Sequence, residues 1–321
     1  MKPKVSIIIP VYNGSNYLGE AIDSALAQKY PNIEIIVIND GSTDGGKTEE
    51  IALSYGDRIR YYYKPNGGVS SALNEGIRRM EGKYFSWLSH DDLYTPDKIG
   101  RQVELLEQCN ERTICFCLRR QINAGSEVIS GVNESDLNDG CVLQNREALI
   151  YYMGHVMNGC SMMIPKAAFD INGGFAENMR YCQDIHMWWR ILISGYSMAF
   201  ADVAGVFSRV HSEQLTNSNM DMYHSDALKI AYEVVPEFAR LSDKNTNVLF
   251  AYAREEAIHA NSETLKLCFA AADKNSLFSK QQKRELKSLL FYGRFVRPII
   301  RKAYYFIKRT YCRSERRVRP C

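Results

Sequence analysis

The chain has 321 residues, of which 45% are hydrophobic and 24% are charged, and a formal net charge of +3. This composition is typical of a folded globular protein and excludes an intrinsically disordered chain. No apolar run approaches the roughly 20 residues that a membrane-spanning helix needs, so we expect one large or two modest domains outside the bilayer.

Strands and helices are predicted to alternate through the first 110 residues. "VSIIIP" at 5–10 is a run rich in β-branched residues, typical of a strand covered on both faces. "NYLGEAIDSALAQ" at 16–28 has apolar residues at helical spacing instead. This alternation predicts a parallel sheet joined by crossover helices. The predicted strands are 5–10, 33–40, 58–64 and 84–89, and the predicted helices are 16–28, 47–56, 68–82 and 95–108, the last with Thr95 as N-cap.

The remaining sequence is less regular. Residues 110–140 predict strands and a polar loop, and 159–175 predict a strand, a short helix and a Gly-Gly turn. A helix is predicted at 184–195, and from about residue 222 the chain is expected to be helical.

Small polar residues follow each of the four predicted strands, at 10–13, 39–42, 66–68 and 89–92. In an open parallel sheet, ligands collect at the carboxyl ends of the strands. The last of these loops contains Asp91 and Asp92, two adjacent carboxylates that repel each other unless a cation lies beside them. Hard divalent cations prefer carboxylate oxygens and leave positions for phosphate oxygens. We therefore interpret the pair as a metal site that carries a nucleotide diphosphate, with a helix cap or turn acid as the alternative.

Seven segments carry a family resemblance: "SIIIPVYNG", "IEIIVINDGSTD", "NGGVSSALNEGI", "YFSWLSHDDLYTP", "NGGF", "QDIHMWWRI" and "SRVHSEQLT". In this order they resemble the family 2 glycosyltransferases of the GT-A type that act in bacterial polysaccharide biosynthesis, over about residues 4–217. The resemblance implies an α/β GT-A fold, with a mostly parallel nucleotide-binding sheet flanked by helices. It also implies a nucleotide-sugar donor, usually a uridine diphosphate (UDP) sugar, a Mg²⁺ or Mn²⁺ ion, and inversion at the anomeric carbon.

The resemblance, which ends near residue 217, and the helical pattern that starts near residue 222 together predict a division of the chain. Residues 1–220 would form the GT-A domain, with a nucleotide-sugar-binding half at 1–110 and an acceptor and catalytic half at 111–220. Residues 221–321 would form a helical C-terminal region with a basic amphipathic tail.

Matching the family position by position assigns the nucleotide site. Pro10, Tyr12 and Asn13 match the loop that holds the nucleobase, and Tyr12 offers a flat ring for stacking, with core packing as the alternative for Tyr12. Asp40 matches the acid that accepts a hydrogen bond from the uracil imide, although an Asx-turn with Ser42 would also explain it.

The segment that closes over the nucleotide is matched by Asn66, Gly67 and Asn74. Glycine allows close backbone approach there, while Asn74 could equally be a surface helix residue. Asp91 matches the position that contacts the ribose or the donor sugar.

Metal and diphosphate contacts are implied for three residues. Asp92 matches the metal ligand. Arg209 and His211 lie two apart, so on a strand they would share one face; His211 would bind the metal or the diphosphate, and Arg209 is a candidate diphosphate contact. A hydrogen-bonded structural role is the alternative for His211.

Asp184 matches the catalytic base, which takes the proton from an acceptor hydroxyl. Apolar surroundings near Trp188 and neighbouring anions should raise the pKa of this carboxylate. An N-cap role for Asp184 is the alternative, and both roles can hold at once.

Three positions depart from the family. Ser89 stands where many relatives have an acid, which puts tight metal binding in doubt. Leu73 replaces a frequent Arg and removes one nucleotide contact. Gln183 replaces the usual Glu before the catalytic Asp, which puts full activity in doubt.

The C-terminal tail is strongly basic, with ten basic residues between Arg294 and Arg319 against one acid, Glu315. Aromatic and aliphatic residues are interspersed with these cations, as in helices that lie in an anionic membrane interface. We therefore predict contact between residues 290–319 and an anionic membrane surface rather than a nucleic acid, with packing on the protein's own acidic surface as the alternative.

The expected location is the cytoplasm, peripheral on the inner face of the cell membrane. The short apolar run of "MKPKVSIIIPVYNG" reaches Pro10 and is interpreted as a strand, not a signal peptide. The nine cysteines show no CxxC pair, which favours reduced core thiols.

The leading hypothesis is an inverting glycosyltransferase that moves a hexosyl or N-acetylhexosaminyl group to a glycan or lipid-linked acceptor. A catalytically silent nucleotide-sugar-binding scaffold at the membrane is the main alternative. A nucleotidyltransferase is the other alternative, but "PVYNGSNYLGE" lacks the basic residues that a triphosphate loop would need.

Overall fold

The first half of the chain alternates between strands and helices, as predicted. A computed structural model describes residues 2–130, 135–155, 157–211, 220–243 and 247–298. The strands are β1 (Val5–Val11), β2 (Ile33–Asp40), β3 (Arg60–Lys64), β4 (Tyr84–Trp87) and β5 (Leu93–Tyr94), and the helices are α1 (Leu18–Leu26), α2 (Lys47–Leu53), α3 (Val69–Arg79) and α4 (Lys98–Leu106).

The second half contributes the remaining strands and most of the helices. Up to residue 209 these are β6 (Thr113–Ile122), β7 (Val142–Leu143), α5 (Asn145–Gly154), β8 (Met162–Pro165), α6 (Ala167–Asn172), α7 (Gln183–Ile193) and β9 (Ser197–Arg209). Beyond residue 219 the described elements are α8 (Met220–Leu241), α9 (Val248–Ile258), α10 (Ser262–Asn275), α11 (Lys280–Phe291) and a π-helical turn (Tyr292–Val296).

Within the described residues, nine strands form one sheet. Its order is β3-β2-β1-β4-β8-β6-β9-β5, and β7 pairs with β9. The first four strands in this order are parallel, and β6 is parallel to β9. Antiparallel pairs join β4 to β8, β8 to β6 and β9 to β5. The prediction of a mostly parallel sheet flanked by helices is confirmed, and the parallel part brings the ends of β1, β2, β3 and β4 to one edge.

Burial explains why the first strand is apolar at every position except Ser6. All seven residues of β1 are buried, because β2 and β4 flank it and helices cover the sheet. In α1 the buried side chains are Leu18, Ala21, Ile22 and Ala25, which recur at helical spacing and form the face that meets the sheet.

The predicted start of α4 is wrong. The helix begins at Lys98, and Thr95 is not its N-cap. Strand β5 pairs with β9 just before the helix, and the backbone N–H of Thr95 donates to the carbonyl oxygen of Gly205 at 2.9 Å, which extends that pairing. Residues 95–97 are then needed to turn the chain, so the N-cap position moves from Thr95 to Asp97 and the helix starts two residues late.

The chain divides into two compact units, residues 1–227 and 228–321, within helix α8. The predicted domain boundary at residue 220 and the predicted halves of the first domain stay predictions. In the ranges given above, no helix is both long enough and apolar enough to cross a bilayer.

Seven cysteines lie in the described part of the chain, and all seven are free thiols. Five of them, Cys115, Cys117, Cys160, Cys182 and Cys268, are buried. Burial raises the pKa of each of these five thiols.

Candidate active site

The loops after β1 and β2 are tied together by Asn13. Its backbone N–H donates to Ser42 Oγ at 2.9 Å, and its Oδ1 accepts from the backbone N–H of Thr43 at 2.7 Å. Asn13 has a φ of 50°, in the left-handed region that asparagine tolerates better than most residues. The neighbouring Tyr12 ring is 46% exposed, whereas Pro10 is buried within β1. The loop therefore presents one accessible aromatic face beside a fixed turn.

The carboxylate of Asp40, at the end of β2, is held by the next loop. Lys64 Nζ lies 2.5 Å from Oδ1, and the backbone N–H groups of Gly67 and Gly68 donate to the carboxylate at 3.0 and 2.7 Å. The Asn66 amide donates to the carbonyl oxygen of Asp40 at 2.9 Å. The structure thus brings Asp40, Asn66 and Gly67 together, and gives the acid a loop-fixing role. The contact with uracil stays a prediction.

Asn74 connects α3 to the Gly-Gly turn of the second half. Its Oδ1 accepts from the backbone N–H of Phe175 at 2.7 Å, and its Nδ2 donates to the carbonyl oxygen of Phe175 at 2.9 Å. Nδ2 also lies 2.9 Å from Glu177 Oε1. A Cβ at Gly174 would lie 2.3 Å from Asn74 Oδ1, so this close contact requires glycine. Asn74 is therefore a half-buried link between two loops, not an isolated surface residue.

Asp91 and His211 form a pair at the end of β4. The distance between Asp91 Oδ2 and His211 Nε2 is 3.0 Å, and both side chains are largely buried. The ring of Tyr17 lies 5.3 Å from the imidazole, centroid to centroid. This places a carboxylate oxygen and an imidazole nitrogen, two common kinds of metal ligand, side by side, while the predicted metal pair is Asp92 and His211.

Asp92 is more deeply buried than Asp91, at 4% exposure. Burial and the negative charge of Asp91 raise its pKa to about 7. Hydrogen bonds from the backbone N–H of Arg209, at 2.9 Å from Oδ1, and from the Cys160 thiol oppose this rise. The raised pKa indicates that the folded protein does not fully compensate the negative charge of the pair, as expected of a place for a cation.

The side chain of Arg209 is fully buried among protein acceptors. Its Nε donates to the carbonyl oxygen of Asp91 at 2.8 Å, and its Nη1 donates to the carbonyl oxygen of Ala124 at 3.1 Å. Nη2 lies 2.9 Å from Glu20 Oε2, and the guanidinium lies 4.2 Å from the centre of the Tyr17 ring. In this arrangement Arg209 fixes the backbone at Asp91. Its contact with a diphosphate stays a prediction.

Asp184 lies in the first turn of α7, where the backbone N–H of Ile185 donates to its Oδ1 at 2.8 Å. Burial raises the pKa of this carboxyl to about 6, which hydrogen bonds from the backbone only partly offset. Trp188, one helical turn later, is fully buried. The upward direction of the shift agrees with the expectation from the sequence, and the carboxyl gains a proton affinity suited to a general base near neutral pH.

Aromatic side chains connect the helix of Asp184 to the end of β4. The ring centres of Trp87 and Phe175 are 6.0 Å apart, and those of Phe175 and Trp188 are 5.9 Å apart, both edge to face. Asp226 fixes the loop before α7, because its Oδ2 accepts from the backbone N–H of Arg180 at 2.9 Å and of Tyr181 at 3.1 Å. The helix that carries the candidate base is thus held by hydrogen bonds to the loop before it and by the packing of Trp188 on Phe175.

Three residues with a clear structural part in the site were missed from the sequence. Glu20 pairs with the buried Arg209, Cys160 contacts the loop at Ser89, with its Sγ 3.3 Å from Ser89 Oγ, and Asp226 holds the loop before Asp184. Each lies on an element distant in sequence from its partner. Only Glu20, an acid on the loop-facing end of a predicted helix, carried a local signal.

The residues around the acidic pair fit a divalent cation whose coordination is completed by phosphate oxygens and water. Among the described residues, no three or more His, Cys, Asp or Glu side chains are grouped so that they could hold a metal by themselves. Mg²⁺ is commonly held by one or two carboxylates, with phosphate oxygens and water in the other positions. Asp91 and His211, which contact each other, can supply two such positions, and metal binding by Asp92 stays a prediction. The roles predicted for the individual site residues stay predictions.

The family of the chain follows from sequence comparison. The family described as "Glycosyl transferase family 2" matches residues 6–168, about half of the chain. An uncharacterized glycosyltransferase of Rickettsia typhi is 47% identical over 220 residues, which is 68% of this chain and 68% of that protein. The chain therefore belongs to glycosyl transferase family 2, which makes its class that of the glycosyltransferases.

More distant relatives are much longer proteins. The chondroitin synthase of Pasteurella multocida is 31% identical over 68% of this chain, and the hyaluronan synthase of the same species is 33% identical over 59%. The matched parts are 22% and 19% of those two proteins. This chain is thus similar to one portion of each synthase.

Solved structures establish the fold. The crystal structure of S. aureus TarS 1–349 in complex with UDP-GlcNAc superposes with a TM-score of 0.66 at 16% identity, over 91% of this chain and 87% of that one. The longer TarS structure gives a TM-score of 0.63 over 91% of this chain and 52% of its own length. The predicted GT-A fold with a helical C-terminal region is confirmed.

Proposed function

We propose that the protein transfers a hexosyl or N-acetylhexosaminyl group from a UDP-sugar to a hydroxyl of a glycan or lipid-linked acceptor, with inversion at the anomeric carbon. Family membership supports the transfer of a sugar. The similarity to synthases of two polysaccharides, and to TarS crystallised with UDP-GlcNAc, supports the donor class and the acceptor class.

The observation that carries this proposal is the raised pKa of the Asp184 carboxyl, together with its place at the start of α7. A half-buried carboxyl, whose pKa desolvation raises to about 6, lies at the start of α7, and aromatic rings connect that helix to the strand end that precedes the acidic pair. General-base catalysis needs a carboxylate of raised proton affinity, whereas a binding scaffold has no use for one.

On the donor side, the exposed ring of Tyr12 would stack on the uracil, next to the loop that Asp40 and Asn66 fix. Asp92 and His211 would hold Mg²⁺ or Mn²⁺, and Asp91, which contacts His211, would contact the ribose or the donor sugar. When bound, such an ion neutralises charge that develops on the departing diphosphate.

On the acceptor side, Asp184 would accept the proton of the attacking hydroxyl. The new bond forms between the acceptor oxygen and the anomeric carbon while the bond to the diphosphate breaks, which inverts the configuration. The hydrogen bond from the backbone N–H of Ile185 would keep the carboxylate oriented during this step.

The test is UDP release from a panel of UDP-sugars with Mn²⁺, with and without glycan acceptors. Wild type is expected to release UDP, and Asp184→Asn is expected to lose at least a hundredfold in rate, because general-base catalysis contributes about 10²–10⁴-fold. The matched control is Asp170→Asn, an exposed acid on α6, which should retain the wild-type rate.

Folding and binding controls separate the alternatives. Since the folded protein disfavours the charge of Asp184, the neutral Asn variant should fold at least as stably at pH 7. Equal, slow release by wild type and Asp184→Asn, with UDP-sugar binding intact in both, would instead support the catalytically silent scaffold.

We also propose a cytoplasmic location with peripheral attachment to the inner face of the membrane. The support is the basic and aromatic composition of residues 290–319. Residues 299–319 lie outside the described part of the chain, whereas α11 and the π-helical turn that follows it are described.

A further inference from the structure

Helix α11 and the π-helical turn carry an exposed row of basic and aromatic side chains, which we call the α11 stripe: Arg284, Lys287, Phe291, Arg294 and Phe295. Phe291 is 61% exposed and Phe295 is 53% exposed. Their ring centres are 5.0 Å apart, and the Arg294 guanidinium lies 5.8 Å from the centre of the Phe295 ring. Steps of three and four residues place Arg284, Lys287, Phe291 and Phe295 on one side of the helix.

The opposite side of the same segment is docked on α9, which fixes the direction of the stripe. Leu286 is fully buried, and a Cβ at Gly293 would lie only 2.5 Å from the carbonyl oxygen of Ile258. Arg297 Nη1 donates to that same carbonyl oxygen at 3.1 Å. The aromatic rings are therefore not core residues of the helical unit.

The charges of the segment are segregated as well. Glu285 is the only acidic residue between 280 and 298, and it pairs with Arg254 of α9 at 3.0 Å. Within the described residues, no acid forms an ion pair with Arg284, Lys287 or Arg294. The exposed face thus combines positive charge with large apolar rings, and no acid in the described ranges forms an ion pair with its three cations.

The positive charge and the exposed rings of the α11 stripe together determine which kind of surface can cover it. The chain that follows, residues 299–321, has eight basic residues and one acid, so its net charge opposes packing onto a basic face. A second copy of the chain would present the same charge to itself. An anionic lipid surface offers both phosphates for the cations and an interfacial region for the rings.

We propose that the α11 stripe is the contact surface for an anionic phospholipid bilayer, with Phe291 and Phe295 in the interface and Arg284, Lys287 and Arg294 near the phosphates. This inference deepens the proposed peripheral attachment by assigning it to named side chains. It is independent of sugar transfer, because lipid binding is measured without donor or acceptor.

The test is flotation of the full-length protein with liposomes of phosphatidylcholine alone or with 30% phosphatidylglycerol. Wild type is expected to float only with the anionic liposomes. The double variant Phe291→Ser/Phe295→Ser should lose at least tenfold in partition coefficient, since each ring removes a large apolar surface from the interface. Arg284→Gln/Lys287→Gln should lose about fivefold per residue, and more salt should weaken wild-type binding.

Matched controls lie in the same helical unit. Tyr232→Ser removes a ring on α8 that is 62% exposed, and Lys266→Gln/Lys274→Gln removes two exposed cations of α10. Both should float like wild type. Because every substituted side chain is exposed, circular dichroism should show unchanged folding.

Wild-type flotation by the Phe291→Ser/Phe295→Ser variant would overturn the proposal and leave attachment to other residues. So would a wild-type dimer in lipid-free solution that this variant converts to a monomer, because the stripe would then be an interface between copies. If the wild-type protein releases no UDP in the activity assay, that result would count against the proposed function and not against this lipid-binding surface.

Discussion

Asp184 should give the reaction its pH dependence. Its pKa lies at about 6 rather than near 3.8, because burial disfavours the charged form. A general base must be deprotonated, so kcat/KM is expected to fall about tenfold per pH unit below about pH 6 and to level off above it. The measurement is the pH profile of UDP release at saturating Mn²⁺.

The titration of Asp92 would overlap that of Asp184 in a pH profile, so the two groups must be told apart. Its pKa of about 7 reflects burial beside Asp91, and a bound cation would lower it. An acid limb that moves with Mn²⁺ concentration would therefore belong to the metal site, while the limb of Asp184 should not move. A limb centred near pH 4 would contradict the role given to Asp184.

Single residues show how far sequence patterns reach. The motif order placed Asp91, Asp92 and His211 in one candidate site, and the structure brings Asp91 and His211 into contact. The motif order could not indicate that the Arg209 guanidinium forms an ion pair with Glu20 and donates hydrogen bonds to backbone carbonyl oxygens. A strand pattern gives the face of a side chain, but its hydrogen-bond partners depend on loops that are distant in sequence.

At the scale of elements, the contact between α3 and the Gly-Gly turn should be sensitive to one methyl group. Gly174→Ala would place a Cβ 2.3 Å from Asn74 Oδ1, so the turn must move away from α3. We expect a loss of about 1–3 kcal/mol in the free energy of unfolding, together with weaker UDP binding. Urea denaturation and UDP titration measure the two effects.

Gly154→Ala is the matched control for this substitution. No heavy atom lies within 4 Å of its added Cβ, and its φ is not in the left-handed region. It should leave stability and UDP affinity near wild type. Equal behaviour of the two variants would show that the Asn74 contact does not order the nucleotide site.

Elements were predictable where burial and period agree. Strands β1 and β2 and helices α1 and α3 follow the predicted ranges, because long apolar runs and helical spacing both reflect the layer that each element packs against. Strand β5 was missed, since two residues carry no period of their own. Its pairing with β9, more than a hundred residues away in sequence, decides both its conformation and the late start of α4.

At the scale of the molecule, every described site residue lies in the unit formed by residues 1–227. Asp226 belongs to this unit and lies on α8, which continues to Leu241. A fragment of residues 1–241 is therefore expected to keep the thermal shift that UDP and Mn²⁺ produce in the full chain. A fragment of residues 1–219 should lose UDP release, because it lacks Asp226, the hydrogen-bond acceptor that holds the loop before Asp184.

Asp226→Ala in the full chain isolates that contact. It should reduce UDP release while leaving the UDP-induced shift in place, since the donor loops do not depend on Asp226. Failure of the 1–241 fragment to bind UDP would show instead that residues beyond 241 take part in the donor site.

The buried thiols have a practical consequence for spectroscopy. Cys115, Cys117, Cys160, Cys182 and Cys268 are enclosed, and their high pKa values leave almost no thiolate for alkylation at neutral pH. A cysteine introduced at an exposed position, with the thiols at 109, 141, 312 and 321 replaced by serine, should take up a fluorophore or spin probe selectively. Distances in the working enzyme could then be followed without altering its interior.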